Sequence, residues 1–347
     1  MDKELHCDFY FGDRVPGGAL KEMDCSVLSG YKGRLRTKIF REKVIWQKGM
    51  LRLLRGDYSH YILSLDKACI SELLFLFIAR AKGKKTYLWT HGWYGKESRW
   101  IIFYKKLIFK PVTGFFLYGE YARGLMLKEG FPPDKLFVIA NSLDYDAKLK
   151  FRDLSVANPV GEHFKNGLPT LVFVGRLAPG KALDRLVDCC RLLNGEGGRK
   201  VNCLMIGGGE MKERLERQVK ESGQEGSVWF YGPCYDEVEM ASLIKNCDLC
   251  VSPGNVGLTA IECLSYGVPV VSHDDFCNQM PEFEAIVPGK TGDFFRKGDV
   301  EDMVRVIEKW LADHPKKTEE CVSACYEVID GKYNPHRQIE IFKSVME

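Results

Sequence analysis

Several things are missing from this 347-residue sequence, and each absence closes off a class of function. No apolar run approaches the ~20 residues that a membrane-spanning helix needs. The longest, Leu73 to Ala79, stops at Glu72 on one side and Arg80 on the other. The start, "MDKELHCDFYF", has no apolar stretch of signal-peptide type before its first strand-like run, so a cytoplasmic chain is expected. Cysteine is not scarce, at thirteen, but a cysteine framework is lacking. Cys189 and Cys190 are adjacent, and Cys247-x-x-Cys250 has no second pair at zinc-site distance. Reduced thiols and no bound metal are therefore expected. Also missing is a G-x-G-x-x-G after a strand. "IGGGEM" at 206–211 sets three glycines in a row instead, which disfavours a nicotinamide dehydrogenase.

One further absence lies inside a near-match. "FVGRLAPGKAL", residues 173–183, places Gly175, Gly180 and Lys181 as a phosphate-binding P-loop would. The Ser or Thr whose hydroxyl would hold magnesium is replaced by Ala182, and Pro179 removes an amide donor from the loop. With no persuasive acidic strand end to complete a magnesium site, nucleoside-triphosphate hydrolysis is disfavoured. What remains is Arg176 and Lys181, two cations on one loop beside a helix start, a pair able to neutralise a diphosphate without metal.

Charge is present but unevenly spread. Residues 1–150 carry 27 Lys and Arg against 16 Asp and Glu, while the whole chain carries 50 against 47. The rest is therefore acidic, and the asymmetry argues for two domains facing different partners. The densest basic stretch is 32–55, with nine cations and one acid, Glu42; a second is "SRWIIFYKKLIFKPV" at 98–112. Aliphatic and aromatic residues interleaved with Lys and Arg suit an anionic bilayer surface. In 98–112, however, Trp100, Ile101, Phe103, Tyr104, Leu107 and Ile108 also make a core-facing stripe at helical spacing. Both readings stay open, and nucleic acid is not an expected partner.

Short β-rich runs alternate with amphipathic segments, which signals βα units and parallel sheets. Strands are expected near 7–12, 61–65, 86–92, 114–119 and 136–142, then near 170–175, 201–207, 228–232, 249–253 and 268–273. Helices are expected at 181–194, 209–222, 236–246, 257–266 and 299–312, with a polar linker at 143–168. The expected fold is α/β, two doubly wound parallel-sheet (Rossmann-like) domains facing a cleft. They would span 1–150 and 166–325, with a last helix at 326–347 returning to the first. Ligands on such sheets bind beyond the carboxyl ends of the strands. There "SPGNVGLTAIECLSYGVPVVSH" (252–273) turns through glycines and opens a helix near Gly257. Free amides at a helix N-terminus make a second anion site. Glu262, about one and a half turns further on, is within reach of a ribose hydroxyl pair.

These pieces resemble glycosyltransferase family 4, retaining sugar-nucleotide transferases with the GT-B fold. The resemblance is carried by "FVGRLAPGKALDRLVDC", "CLMIGGGEMKERLE", "VWFYGPC", "CDLCVSPGNVGLTAIECLSYGVPVV" and "PEFEAIVPGKTGDFF", with weaker echoes in "LWTHGWYG" and "YARGLMLKEGFPPDKLFVIANSLD". It implies that Arg176 and Lys181 hold the donor diphosphate and that the amides of Gly257, Leu258 and Thr259 assist. Gly175 and the turn Gly254, Asn255 and Val256 would border the donor, and Glu262 would bind its ribose. Backbone at Gly232, Pro233 and Cys234 would face the base, and His91 would sit near the transferred sugar. The donor would be a UDP- or GDP-sugar, the acceptor a glycan or lipid-linked molecule, and no metal would be needed. Two departures stand out. The family usually has Glu-x7-Glu ending at the position of Glu262, whereas position 254 is Gly. Also, only about a dozen residues, including Pro16, Gly17 and Gly18, separate "CDFYFG" from "CSVLSG", too few for the family's first long helix. An epimerase and a noncatalytic sugar-nucleotide-binding protein remain as alternatives.

Overall fold

The computed structural model describes residues 1–14, 24–40, 44–65, 68–315 and 317–346. The stretch holding Pro16, Gly17 and Gly18, read above as too short for the family's first long helix, lies outside the described residues. The chain divides into two compact units, Met1–Ile139 with Gln338–Glu347, and Ala140–Arg337. The break thus falls before the 143–168 segment, which belongs to the second unit and holds two short helices where a linker was expected.

In the first unit a short helix α1 (Asp2–Leu5) precedes strands β1 (Phe9–Gly12), β2 (Tyr31–Phe40) and β3 (Val44–Lys48). β2 pairs parallel with β1 and antiparallel with β3. The basic 32–55 segment is thus largely strand, and its period is two. Lys32, Arg34, Arg36 and Lys38 alternate onto one exposed face of β2. The rest of the unit is a four-stranded sheet of β4 (His60–Leu63), β5 (Lys85–Thr90), β6 (Gly114–Leu117) and β7 (Leu136–Val138), in that spatial order and all parallel. Helices α2 (Ile70–Ala81), α3 (Arg99–Phe109) and α4 (Glu120–Lys128) make the crossovers. Because the strands advance in one direction, right-handed connections place all three helices on the same face. One cluster joins them there, with Leu76, Leu88, Phe115 and Met126 buried against Ile102 and Phe109. The opposite face packs Tyr87, Phe116 and Ile139 against Phe342 of the last helix.

The second unit opens with α5 (Tyr145–Leu149) and α6 (Pro159–Phe164). Six strands follow: β8 (Thr170–Val174), β9 (Asn202–Ile206), β10 (Val228–Gly232), β11 (Leu249–Ser252), β12 (Val270–His273) and β13 (Gly292–Phe295). All pair parallel, in the order β10-β9-β8-β11-β12-β13, which reverses direction between β8 and β11. That doubly wound order buries both faces, so the strands read as near-continuous apolar runs. Between them run α7 (Leu183–Leu193), α8 (Lys212–Glu221), α9 (Glu237–Ile244) and α10 (Leu258–Ser265). The chain closes with α11 (Val300–Asp313), α12 (Glu319–Lys332) and α13 (Pro335–Met346). The thirteen cysteines are free thiols. Among the described residues no helix is long and apolar enough to cross a membrane.

Candidate functional site

The reversal between β8 and β11 leaves a crevice beyond their carboxyl ends, and the near-P-loop begins there. The Gly175 amide donates to Ile206 O at 2.9 Å and Leu177 N to Gly208 O at 2.9 Å, laying the loop after β8 on the loop after β9. A Cβ on Gly207 would stand 1.9 Å from Gly175 O, so the run of glycines in "IGGGEM" serves backbone-to-backbone contact. The chain then turns through Pro179–Lys181, and Ala182 takes the left-handed conformation at φ 50° before α7 begins. The residue that departs from the P-loop pattern is therefore also where the path departs from it.

Lys181 crosses to the other loop. Its Nζ donates to Asn255 O at 2.6 Å and reaches Val256 O at 3.5 Å, just before the first turn of α10. Burial lowers its pKa, opposed by the charge of Glu282. The backbones meet as well, with Gly254 N donating to Lys181 O at 2.9 Å. A Cβ on Gly254 would lie 2.2 Å from Gly180 O. Glycine at 254 is thus a steric requirement of this loop contact, and a glutamate would force the loops apart. The turn is further braced by buried Gln279, whose Oε1 accepts from Val256 N at 2.9 Å. Thr259 Oγ1 donates to Val174 O at 2.7 Å, tying α10 to the end of β8. The first amides of α10 lack intrahelical acceptors and point toward this crevice end.

A cavity of about 300 Å³ opens beside these loops. Gly175, Cys234, Leu258, Thr259 and Glu262 all line it, together with Glu237 and Tyr235. Residues from three loops, up to 87 positions apart, therefore share one pocket, the span running from Gly175 to Glu262. Asn255, Val256 and Gly257 form the turn that Lys181 holds. Gly232 is buried, and its carbonyl accepts from Gly207 N at 2.8 Å; Pro233 is exposed at the next position. Arg176 is solvent-exposed, and neither it nor Lys181 lines the cavity itself; Lys181 borders it through the turn at Asn255. His91 belongs to the first unit, where it follows β5 with its ring centroid 4.7 Å from that of Tyr118.

One participant was not anticipated. Lys148, on α5, is 3% exposed, and its Nζ lies 2.7 Å from Glu262 Oε1, 3.0 Å from Glu237 Oε2 and 3.2 Å from the Tyr266 hydroxyl. Tyr266 OH also donates to Glu237 Oε2 at 2.7 Å. Burial pushes the Glu262 carboxyl above its ordinary value, and Lys148 only partly offsets it. Burial acts the same way on Glu237, but hydrogen bonds from Tyr266 and Lys148 outweigh it and leave that carboxyl below normal. A buried ammonium thus clamps both pocket carboxylates, fixing Glu262 with one oxygen committed and the other available to a ligand. "LDYDAKLK" gives no hint of this, because it reads as polar connector. Tyr266, at the end of an otherwise apolar helix, was the one available signal.

Comparison with known proteins bears on the fold and the family. Residues 158–328 match the family model described as glycosyl transferases group 1. The sulfoquinovosyl transferase SQD2 of Arabidopsis thaliana is 27% identical over 201 residues, covering 56% of this chain and 36% of that protein. The chain thus spans about a third of the curated relative it matches. The lipopolysaccharide outer core galactosyltransferase WaaB superposes with a TM-score of 0.65 at 18% identity, over 86% of this chain and 77% of that one. Anabaena HepE in complex with UDP gives 0.68 at 15% identity, over 91% and 85%. Residues 158–328, most of the second unit, are thus similar to the group 1 glycosyl transferases, and the chain has the fold of the GT-B glycosyltransferases.

Proposed function

We propose that the protein is a retaining glycosyltransferase that moves a hexose from a UDP- or GDP-sugar to a glycan or lipid-linked acceptor, without a metal ion, in the cytoplasm and peripheral to a membrane. The observation that carries this reading is the shared pocket at the sheet's reversal, where the Glu262 carboxylate meets the tip of α10. Glu262 accepts from the ribose hydroxyls, its second oxygen held by Lys148. The α10 amides and the Lys181 ammonium at their edge take the diphosphate. Arg176, exposed in this structure, swings onto the same phosphates when the donor is bound. Cleavage of the anomeric bond puts negative charge on the leaving diphosphate, so preorganised cations and amides supply the main electrostatic stabilisation. The acceptor attacks from the leaving-group face and a phosphate oxygen takes its proton, so no separate base is required. The family resemblance assigns His91 to the transferred sugar. Since position 254 has no room for a side chain, its contacts to the sugar come from backbone.

The test is a panel of sugar nucleotides offered with lipid and glycan acceptors, followed by mass spectrometry and by NMR of the anomeric centre. Transfer with retained configuration, unchanged by chelator, supports the proposal. Epimerised donor, or binding without turnover, overturns it.

A further inference from the structure

Of the six stripe residues on helix α3, Ile108 alone is buried. Trp100 is 82% exposed, Phe103 64% and Leu107 54%, and Ile101 and Tyr104 are exposed beside them, while Lys105 is buried. At i, i+3 and i+7, Trp100, Phe103 and Leu107 follow one another along a single line of the helix. Neighbouring α2 presents Ile70, Leu74, Phe77 and Ile78 to solvent in the same way, with Phe75, Leu76 and Ala79 inward. Both helices cover the same face of the sheet, and nine large apolar side chains are exposed on them, five of these on α3 alone. Single exposed apolar residues need no explanation, but five on one short helix do.

The exposed charges within this stretch have one sign. Between residues 70 and 112 the exposed charged side chains are Arg80, Lys82, Lys85, Lys96, Arg99, Lys106 and Lys110. The two acids in that span, Glu72 and Glu97, are turned inward, Glu97 being paired with Lys105 at 2.8 Å. Lys106 meets a carboxylate at the end of α4, Glu129 at 2.7 Å. An apolar centre with a cationic border matches a bilayer with anionic headgroups, where rings and aliphatic chains enter the acyl boundary and Lys and Arg stay among phosphates. A second copy of the chain would oppose like charges across the contact, and nucleic acid offers nothing for Phe77, Phe103 and Leu107 to enter.

We propose that the outer face of α2 and α3 is a docking surface for an anionic lipid bilayer, entered by Trp100, Phe103 and Leu107. This deepens the membrane-peripheral part of the proposed function and names the residues responsible. The test is co-sedimentation of the full chain with vesicles of phosphatidylcholine containing 30% phosphatidylglycerol, against phosphatidylcholine alone, with tryptophan emission followed in parallel. Wild-type protein is expected to bind the anionic vesicles with a blue shift and to release as salt rises. The triple variant Trp100→Ser, Phe103→Ser, Leu107→Ser should bind roughly tenfold or more weakly, and Arg99→Gln or Lys110→Gln about fivefold more weakly each. Circular dichroism and UDP binding check that these variants stay folded. Absence of binding to anionic vesicles, or equal binding by the triple variant, overturns the proposal. So does a dimer in solution that the same substitutions disperse. Vesicle binding by a chain that transfers no sugar retires the transferase reading alone. Sugar transfer to a soluble acceptor by a chain that ignores vesicles retires this inference alone.

Discussion

Helices α3 and α7 are both crossover helices of parallel βα units, yet they dispose of their apolar residues differently. α7 buries Leu183, Leu186, Val187, Cys190 and Leu193 against its sheet. α3 turns Trp100, Phe103 and Leu107 outward and sends a lysine in. The reason lies in what each sheet offers beneath. Under α7 the surface is aliphatic, so apolar burial sets the roll of the helix. Under α3 lies the loop after β5, where Glu97 accepts from Tyr94 N at 3.0 Å and Gly95 N at 2.9 Å. Lys105 completes that loop, with Nζ 2.8 Å from Glu97 Oε1, 3.2 Å from Gly92 O and 4.5 Å from the Trp93 ring centroid. A buried carboxylate left unpaired costs more than exposed apolar surface, so the ion pair decides the orientation. Periodicity gives the angle between side chains; it does not say which side meets the core.

The largest effects should come from the two buried lysines. Lys148→Met strands Glu262 and Glu237 face to face, and Lys105→Met strands Glu97; each should lose about 3–5 kcal/mol in urea unfolding. Wild-type stability in Lys105→Met would remove the account of why α3 is turned over. The helices themselves come next. Leu186→Ala in α7 should cost about 2–5 kcal/mol, whereas Phe103→Ala in α3 should stay within about 0.5 kcal/mol. Equal losses would mean that Phe103 is covered in solution. On the loop after β8, Lys181→Ala and Arg176→Ala should each lower kcat about 10²-fold. Near-normal rates in both would end the phosphate-clamp assignment. The smallest effect is a pH slope. Burial favours the neutral amine of Lys181, so its proton leaves below the ordinary value of 10.5 as pH rises. UDP affinity should therefore start to fall on the alkaline side below that value, and Lys181→Arg should flatten the fall. A profile of Lys181→Arg identical to wild type would assign the slope to another group.

Legibility followed the kind of signal. In the second unit five expected strands and five expected helices correspond to β8–β12 and to α7–α11, because strands buried on both faces must be apolar runs. β13 was not foreseen, since "GDFF" is short and sits among turn residues. In the first unit β2 and β3 were hidden inside a basic segment, where the cation count masked an alternation of period two. For the pocket, Gly175 and Glu262 were legible from the segments after strands, Leu258 and Thr259 came with the family resemblance, and the structure sets all four around one cavity. Gly254 was legible only as a departure; its steric cause appears once Gly180 is seen against it.

The sequence by itself determined the parallel α/β rhythm, the reduced cysteines and the glycine turns at the strand ends, since each follows from local propensity and composition. Tertiary structure alone decided the roll of α3 and the clamp of Lys148 on Glu262, 114 residues away. Both depend on a buried charge finding its counter-charge, and that choice is made by distant segments once they pack.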